Sequence, residues 1–284
     1  MTTPDQRKTL QDAIMRNPAY RLAYEDIGLM SEDDLRPLRL QMELLKPERA
    51  LRKQGIRSTV VVFGSARIVS LEVAQKQLAQ AETCLGKQPD DPQCQGDLVT
   101  AKRQMRQAGY YEQARCFATL VSQKFQQQDR RDFVMVTGGG PGIMEAANMG
   151  AFEADAHSIG LNITLPHEQQ PNPFITPDLA FRFHYFAVRK MHFLMRAKAL
   201  VAFPGGFGTC DELFEVLTLI QTGKMDRIPI VLFGTTFWQQ AVNFDFLIQE
   251  GMISPEDRDL FTMVETAEQA IKVLQDFYHG NPPS

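Results

Sequence analysis

From residue 58 onward the apolar positions fall in short, unbroken runs. Residues 58–66 read STVVVFGSA, a β-branched and aromatic run closed by Gly-Ser. A run that short, apolar throughout and ended by a turn signal, predicts a strand covered on both faces. The signature recurs in DFVMVT (132–137), HSIGLNITL (157–165), KALVAFPGG (198–206), IPIVLFG (228–234) and LFTMVET (260–266), with a weaker strand over 179–185. Helical spacing follows most of these runs: 142–154, 186–198, 209–223, 237–251 and 267–280. Gly223 is placed to close the third of them. Wholly apolar strands alternating with helices predict an α/β fold, a doubly wound parallel sheet of Rossmann-like type, over residues 58–280.

Two stretches depart from that rhythm. Residues 1–57 read as a charged, helical N-terminal arm. Within it SEDD at 31–34 looks like a helix start with Ser31 as N-cap, and Leu35, Leu38, Leu40, Met42, Leu44 and Leu45 supply an apolar face. Residues 71–109 are polar and Gln-rich where a single helix is expected after the first strand. They predict an inserted helical hairpin, with Leu71, Ala74, Leu78, Ala81 and Leu85 facing Leu98, Ala101, Met105 and Ala108. Its bland reading, a surface decoration or subunit contact, outweighs a role in chemistry. Residues 281–284 read as a tail.

Composition narrows the function. Hydrophobic residues make up 44% of the 284 positions, enough for a sizeable core. A net charge of −4 disfavours a nucleic-acid polymer as partner, since such binding needs a basic surface. No run approaches the roughly 20 apolar residues that span a bilayer. The N-terminal sequence has no signal-peptide core, so no membrane partner and a cytoplasmic location are expected. Cys84, Cys94, Cys116 and Cys210 form no C-x-x-C pair, which argues against zinc and dithiol motifs. Cys84 and Cys94 could meet across the KQPDDPQ turn, but in a cytosolic protein two free thiols are expected.

Candidate chemistry gathers at the ends of the strands. In TGGGPGIMEA (137–146), Gly138, Gly139, Gly140 and Gly142 separate a strand from a helix. Glycines let a ligand approach the backbone, and the free amides of a helix start favour an anion. Neither the dinucleotide fingerprint nor the P-loop is matched. Gly205, Gly206 and Gly208 make a second such turn, and Gly64-Ser65 adds a third. In a parallel sheet all three lie on the carboxyl edge, where open α/β proteins bind ligands. The bland alternative is three tight turns with no ligand.

Glu212 admits two readings. Thr209-x-x-Glu212 has the spacing of a capping box, with Thr209 as N-cap. Alternatively the carboxylate stands at the rim beside the anion site and faces sugar hydroxyls. Upstream, FRFHYFAVRKMHFLMRAKA (181–199) is the most basic stretch of the core, with Arg189 and Lys190 set among aromatics and methionines. It reads either as a helix with a snorkelling basic face or as an arginine placed at a ligand. His184 and His192 lack a carboxylate or thiol partner at ligand spacing, so no metal site is expected.

GGGPGIMEA at 138–146, VRK at 188–190 and PGGFGTCDE at 204–212 resemble the Lonely Guy (LOG) family, often labelled as lysine decarboxylases. Residues 204–212 match its P-G-G-x-G-T-x-x-E pattern at every fixed position, and FGSAR at 63–67 is similar to the longer bacterial branch. The resemblance implies a nucleoside 5′-monophosphate phosphoribohydrolase, acting on AMP or a cytokinin riboside monophosphate to give free base and ribose 5-phosphate. It implies Arg189 and Glu212 as catalytic residues. It further implies Gly64, Ser65, Gly138, Gly139, Gly140, Gly142, Glu145, Lys190, Gly205, Gly206, Gly208 and Thr209 as substrate-binding. No cofactor is implied, and a homodimer or higher homo-oligomer is. Arg67 stands where shorter relatives have smaller residues. A pyridoxal-type decarboxylase is disfavoured for want of a Schiff-base lysine signature. The competing class is a non-catalytic carrier of a nucleotide or phosphorylated cofactor. A dehydrogenase is weaker, because FGSARI lacks the required fingerprint.

Overall fold

The structure is a computed structural model that describes residues 2–126, 130–165 and 170–280. The tail at 281–284 lies outside the described residues. The chain divides into a unit Met1–Lys46 and a unit Pro47–Ser284.

The first unit holds α1 (Pro4–Arg16) and α2 (Ile27–Met30), and α3 (Arg36–Lys53) begins in it. Thr3 and Gln6 form a reciprocal capping box on α1. The start expected at Ser31 is not one. Ser31 ends α2, and its hydroxyl donates to the Ile27 carbonyl at 2.6 Å. The acids behind it enter a short 3-10 turn, Asp33–Leu35, which leads into α3. Of the expected apolar face, Leu35, Leu40 and Leu44 are partly buried, while Leu38, Met42 and Leu45 are exposed.

Among its described residues the second unit carries seven strands: β1 (Thr59–Phe63), β2 (Val134–Thr137), β3 (Ser158–Ile163), β4 (Ala180–Phe183), β5 (Ala197–Ala202), β6 (Ile230–Phe233) and β7 (Phe261–Val264). Their order is β4-β3-β2-β1-β5-β6-β7, and every pairing is parallel. The fold is thus the α/β Rossmann-like type expected. The helices are α4 (Leu71–Lys87), α5 (Pro92–Phe125), α6 (Ile143–Glu153), α7 (Phe186–Leu194), α8 (Phe207–Gln221), α9 (Thr235–Ala241), α10 (Phe244–Gln249) and α11 (Ala267–Phe277).

Alternation along the strands sends successive side chains to opposite faces. Val60, Val62, Met135, Val201 and Val231 face a core closed by Phe117 and Val121 of α5, Ala147 of α6 and Leu274 of α11. Phe63, one residue beyond Val62, turns the other way and meets the ring of Phe193 in α7 at 4.8 Å. Both faces are therefore covered, which is why the strands carry no polar alternation.

The insertion differs in one respect from a separate hairpin. Its second arm is the first half of α5, a single helix of 34 residues that continues into the core. Gly96 and Gly109 do not break it. Ala74 and Ala81 of α4 and Ala101 and Ala108 of α5 are buried between the two helices, whereas Leu71 is exposed. The expectation of two free thiols is overturned: Cys84 and Cys94 form a disulfide. The last turn of α4 and the first turn of α5 bring their Cα atoms to 5.6 Å, within bridging reach. Cys116 and Cys210 are free.

Candidate active site

The strand order reverses at the centre of the sheet. The chain steps outward from β1 through β2 and β3 to β4, then returns to place β5 on the other side of β1. Loops after β1 and β5 therefore diverge to opposite sides and leave a crevice between them. Two backbone bonds tie its base: Phe203 N–H to Phe63 O at 2.8 Å, and Ser65 N–H to Pro204 O at 3.0 Å. The crevice opens into a cleft of about 660 Å³. Gly64, Ser65 and Arg67 from the β1 loop, Gly205 to Glu212 from the β5 loop and α8, and Phe186 and Arg189 of α7 line it with Met144. Its volume lies in the range of small-ligand sites.

The start of α8 leaves backbone amides open at the cleft. Its N-cap is Gly206, with no side-chain cap, and among the described residues the amides of Phe207, Gly208 and Thr209 have no acceptor. Thr209 is therefore three residues inside the helix, and Glu212 lies deeper still. The capping-box reading of this pair is wrong. Thr209 instead packs its hydroxyl against Gly205, where no side chain would fit.

The other glycine turn plays a different part. Gly142 has φ +71° and is the N-cap of α6, and a side chain there would overlap the Ser65 carbonyl. The first amide of α6, that of Ile143, already donates to Ser65 O at 3.2 Å. Gly139 is buried beside Asn162, and the Gly140 carbonyl accepts from Asn172 Nδ2 at 3.0 Å. Gly139, Gly140 and Gly142 do not line the cleft; they shape the turn that supports the β1 loop. Gly138 touches the site through Arg189. Glu145 accepts from the Tyr111 hydroxyl at 2.9 Å, away from the cleft lining.

Three side chains set the electrostatics. Arg189 donates from Nε to the Leu161 carbonyl of β3 at 2.7 Å and stacks over Phe193 at 5.1 Å. Burial lowers its pKa, the Glu212 charge raises it, and as a guanidinium it stays charged. Glu212 is 5% exposed and its Oε2 accepts no hydrogen bond among the described residues. Burial pushes its pKa up to about 7; Lys190 and Arg189 oppose that rise, and Glu215 and Asp211 add to it. Lys190 Nζ lies 2.7 Å from Glu215, 3.0 Å from Asp211 and 3.5 Å from Glu212. The last is an ion pair without a hydrogen bond.

Sequence reasoning missed the buried amides. Thr137 Oγ1 donates to Asn148 Oδ1 at 2.7 Å, and Asn172 Nδ2 donates to the same oxygen at 3.0 Å. They hold the Gly138–Gly140 turn from beneath. A polar Asn148 on the apolar face of α6 was a legible hint; Asn172, in an irregular loop, gave none. Among the described residues, Cys84, Asp91 and Cys94 form the one group of metal-ligand types within 4.8 Å, and both sulfurs are in the disulfide.

Fold and site together define an open parallel α/β protein with an uncapped helix start and a buried carboxylate at the strand-order reversal. A family model described as "Possible lysine decarboxylase" matches residues 144–274. The cytokinin riboside 5′-monophosphate phosphoribohydrolase LOG1 of Arabidopsis thaliana is 30% identical over 152 residues, 52% of this chain and 70% of that protein. A probable enzyme of the same name from Oryza sativa subsp. japonica, LOGL3, is 27% identical over 165 residues, 54% of this chain and 74% of that one. A solved molybdenum cofactor binding protein from Rippkaea orientalis aligns with TM-score 0.43 at 19% identity, over 60% of this chain and 88% of that one. The chain belongs to the LOG family. No helix among the described residues is long and apolar enough to cross a membrane.

Proposed function

We propose that the protein hydrolyses the N-glycosidic bond of a nucleoside 5′-monophosphate, AMP or a cytokinin riboside monophosphate, to free base and ribose 5-phosphate. One observation carries this reading. A buried carboxylate, a half-buried guanidinium and an open helix start line a single cleft. The amides of Phe207, Gly208 and Thr209 suit the 5′-phosphate, with Gly64 and Ser65 opposite.

In the reaction the bond from ribose C1′ to the base nitrogen breaks, and water oxygen bonds to C1′. Positive charge grows on the sugar, as in glycoside hydrolysis. The Glu212 carboxylate stabilises that charge and takes a proton from the attacking water. The base departs with the electron pair and takes up the proton that Glu212 received from the water, which restores the carboxylate; Arg189 offsets the base's growing negative charge. A Glu212 pKa about 7 suits a group that must hold and release a proton near neutrality. The decarboxylase wording finds no support at this site. Lys190 is ringed by carboxylates that stabilise its charged form, the opposite of what a Schiff-base lysine needs.

The same reading takes the protein as a homodimer or higher homo-oligomer. Exposed Phe186, Met191 and Phe207, the last 96% exposed, support self-association. The Cys84–Cys94 disulfide weighs against the cytoplasm, where such bonds are rare.

The test is incubation with a panel of nucleoside monophosphates and chromatography for released base. Adenine from AMP, with little from adenosine for want of the phosphate anchor, is the expected result. Binding of AMP without release of base assigns the chain to the carrier class instead.

A further inference from the structure

We propose that Lys190 is a positioning residue, whose ammonium, anchored by Asp211 and Glu215, fixes the Glu212 carboxylate and holds it charged instead of binding substrate. The inference rests on the role given to Glu212 above.

An ammonium has three N–H donors. Two are spent on Glu215 at 2.7 Å and Asp211 at 3.0 Å. The two acids belong to α8, one residue before and three residues after Glu212, so they grip Lys190 from both sides of it. Glu212 Oε2 lies 3.5 Å from the same ammonium, close enough for charge pairing though not hydrogen-bonded to it. Lys190 is outside the cleft lining, whereas Arg189, its neighbour on α7, is inside it. A substrate phosphate would have to displace two short ion pairs to reach Lys190.

The geometry also explains an otherwise costly arrangement. Glu212 is buried, its Oε2 accepts no hydrogen bond among the described residues, and two more carboxylates stand beside it on α8. Without a cation there it would be neutral near pH 7 and useless as a base. Arg189 is the other cation acting on it, and Arg189 is bound to the Leu161 carbonyl. Arg67 of the β1 loop lines the same cleft, and Thr209 on α8 adds no charge. Lys190 is thus the group whose removal most changes the charge balance at Glu212.

The test is a carbon NMR titration of glutamate carboxyl groups in the wild type and in Lys190→Met, with Glu212→Gln to assign the signal. The Glu212 midpoint is expected to rise by roughly one pH unit on loss of a cation within a few ångströms. The acidic limb of kcat/KM rises with it, so that activity lost at pH 7 returns by pH 9. Lys190→Arg restores both midpoints. The dissociation constant of ribose 5-phosphate at pH 9 stays within about twofold, since the lost cation touches no phosphate. An unmoved midpoint with ribose 5-phosphate binding weakened tenfold or more at every pH makes Lys190 a substrate ligand and overturns the proposal. If Lys190→Met does not fold, Lys190→Gln, which keeps donors but no charge, is titrated in its place. The NMR midpoint needs no turnover. A protein that cleaves no nucleotide yet shows the shift loses the proposed function but keeps this coupling, and cleavage with no shift does the reverse.

Discussion

Arg189 lies against the bare Cα of Gly138: a side-chain carbon built there would stand 2.7 Å from a terminal guanidinium nitrogen. The same carbon would be 2.8 Å from the Met144 sulfur. Both atoms are the ends of flexible side chains, so alanine at this position displaces them without breaking the turn. Gly138→Ala is expected to lower kcat/KM by roughly 100-fold, the scale of a misplaced catalytic group. Its melting temperature stays within a few degrees of wild type. Kinetics and a thermal melt on one preparation check both halves.

Glu212→Gln should abolish turnover and stabilise the protein at alkaline pH. The folded pKa, about 7, lies above the ordinary glutamate value of 4.5. Below 4.5 the group is protonated in both states and costs nothing. Between these values the folded state binds the extra proton, so stability falls as pH rises, and above 7 the cost is complete. Glutamine removes it. We expect a gain of about 1–2 kcal/mol at pH 8.5 and little change at pH 4.5, the usual scale for relieving a strained functional site. Loss of stability at pH 8.5 would return Glu212 to a structural role.

Glu48 and Arg196 form the opposite kind of pair. Arg196 donates to Glu48 Oε1 at 2.8 Å from one terminal nitrogen, bonds Oε2 from the other, and reaches the Ile56 carbonyl from Nε at 3.3 Å. The hydrogen bond from Arg196 is the largest cause that lowers the Glu48 pKa from 4.5 to about 2. A depressed acid stabilises fully above its unfolded pKa, and that contribution is lost as pH falls through 4.5 toward 2. Glu48→Gln should cost about 2 kcal/mol at pH 7, the scale of a charged hydrogen bond left without its partner. Urea unfolding at pH 7 and pH 2.5 should show the difference shrinking in acid.

The Cys84–Cys94 bridge closes a short loop, with a sequence separation of 10. On the chain-entropy account its loss costs about 2–3 kcal/mol. A thiol reductant is expected to lower the melting temperature of the wild type and leave that of the Cys84→Ser/Cys94→Ser double variant unmoved. Neither residue lines the cleft, so steady-state constants should not change.

Much of this was legible in the chain. The run TVVVF and its counterparts each became a strand, because an uninterrupted apolar segment too short for a helix is satisfied only inside a sheet. PGGFGT announced an open helix start. Three things were not legible. Thr209-x-x-Glu212 has capping-box spacing, and only the packing of Thr209 on Gly205 moved the helix start back to Gly206. Four glycines at 138–142 looked like a second phosphate cradle, yet the first amide behind them is taken by Ser65. Lys190 sat in the same motif as Arg189, yet Arg189 lines the cleft and Lys190 lies outside its lining, paired with Glu215.

By itself the sequence determined which segments are buried, which turns need glycine and which side chains are able to do chemistry. Burial and turn geometry are local demands, and each is met by residues a few positions apart. Tertiary structure alone decided that β1 and β5 are neighbours, and hence that two loops far apart in the chain open into one cleft. It also decided that Glu212 loses its water while Lys190 stays beside it. Desolvation and charge pairing depend on distance in space, and spacing along a chain does not carry that information.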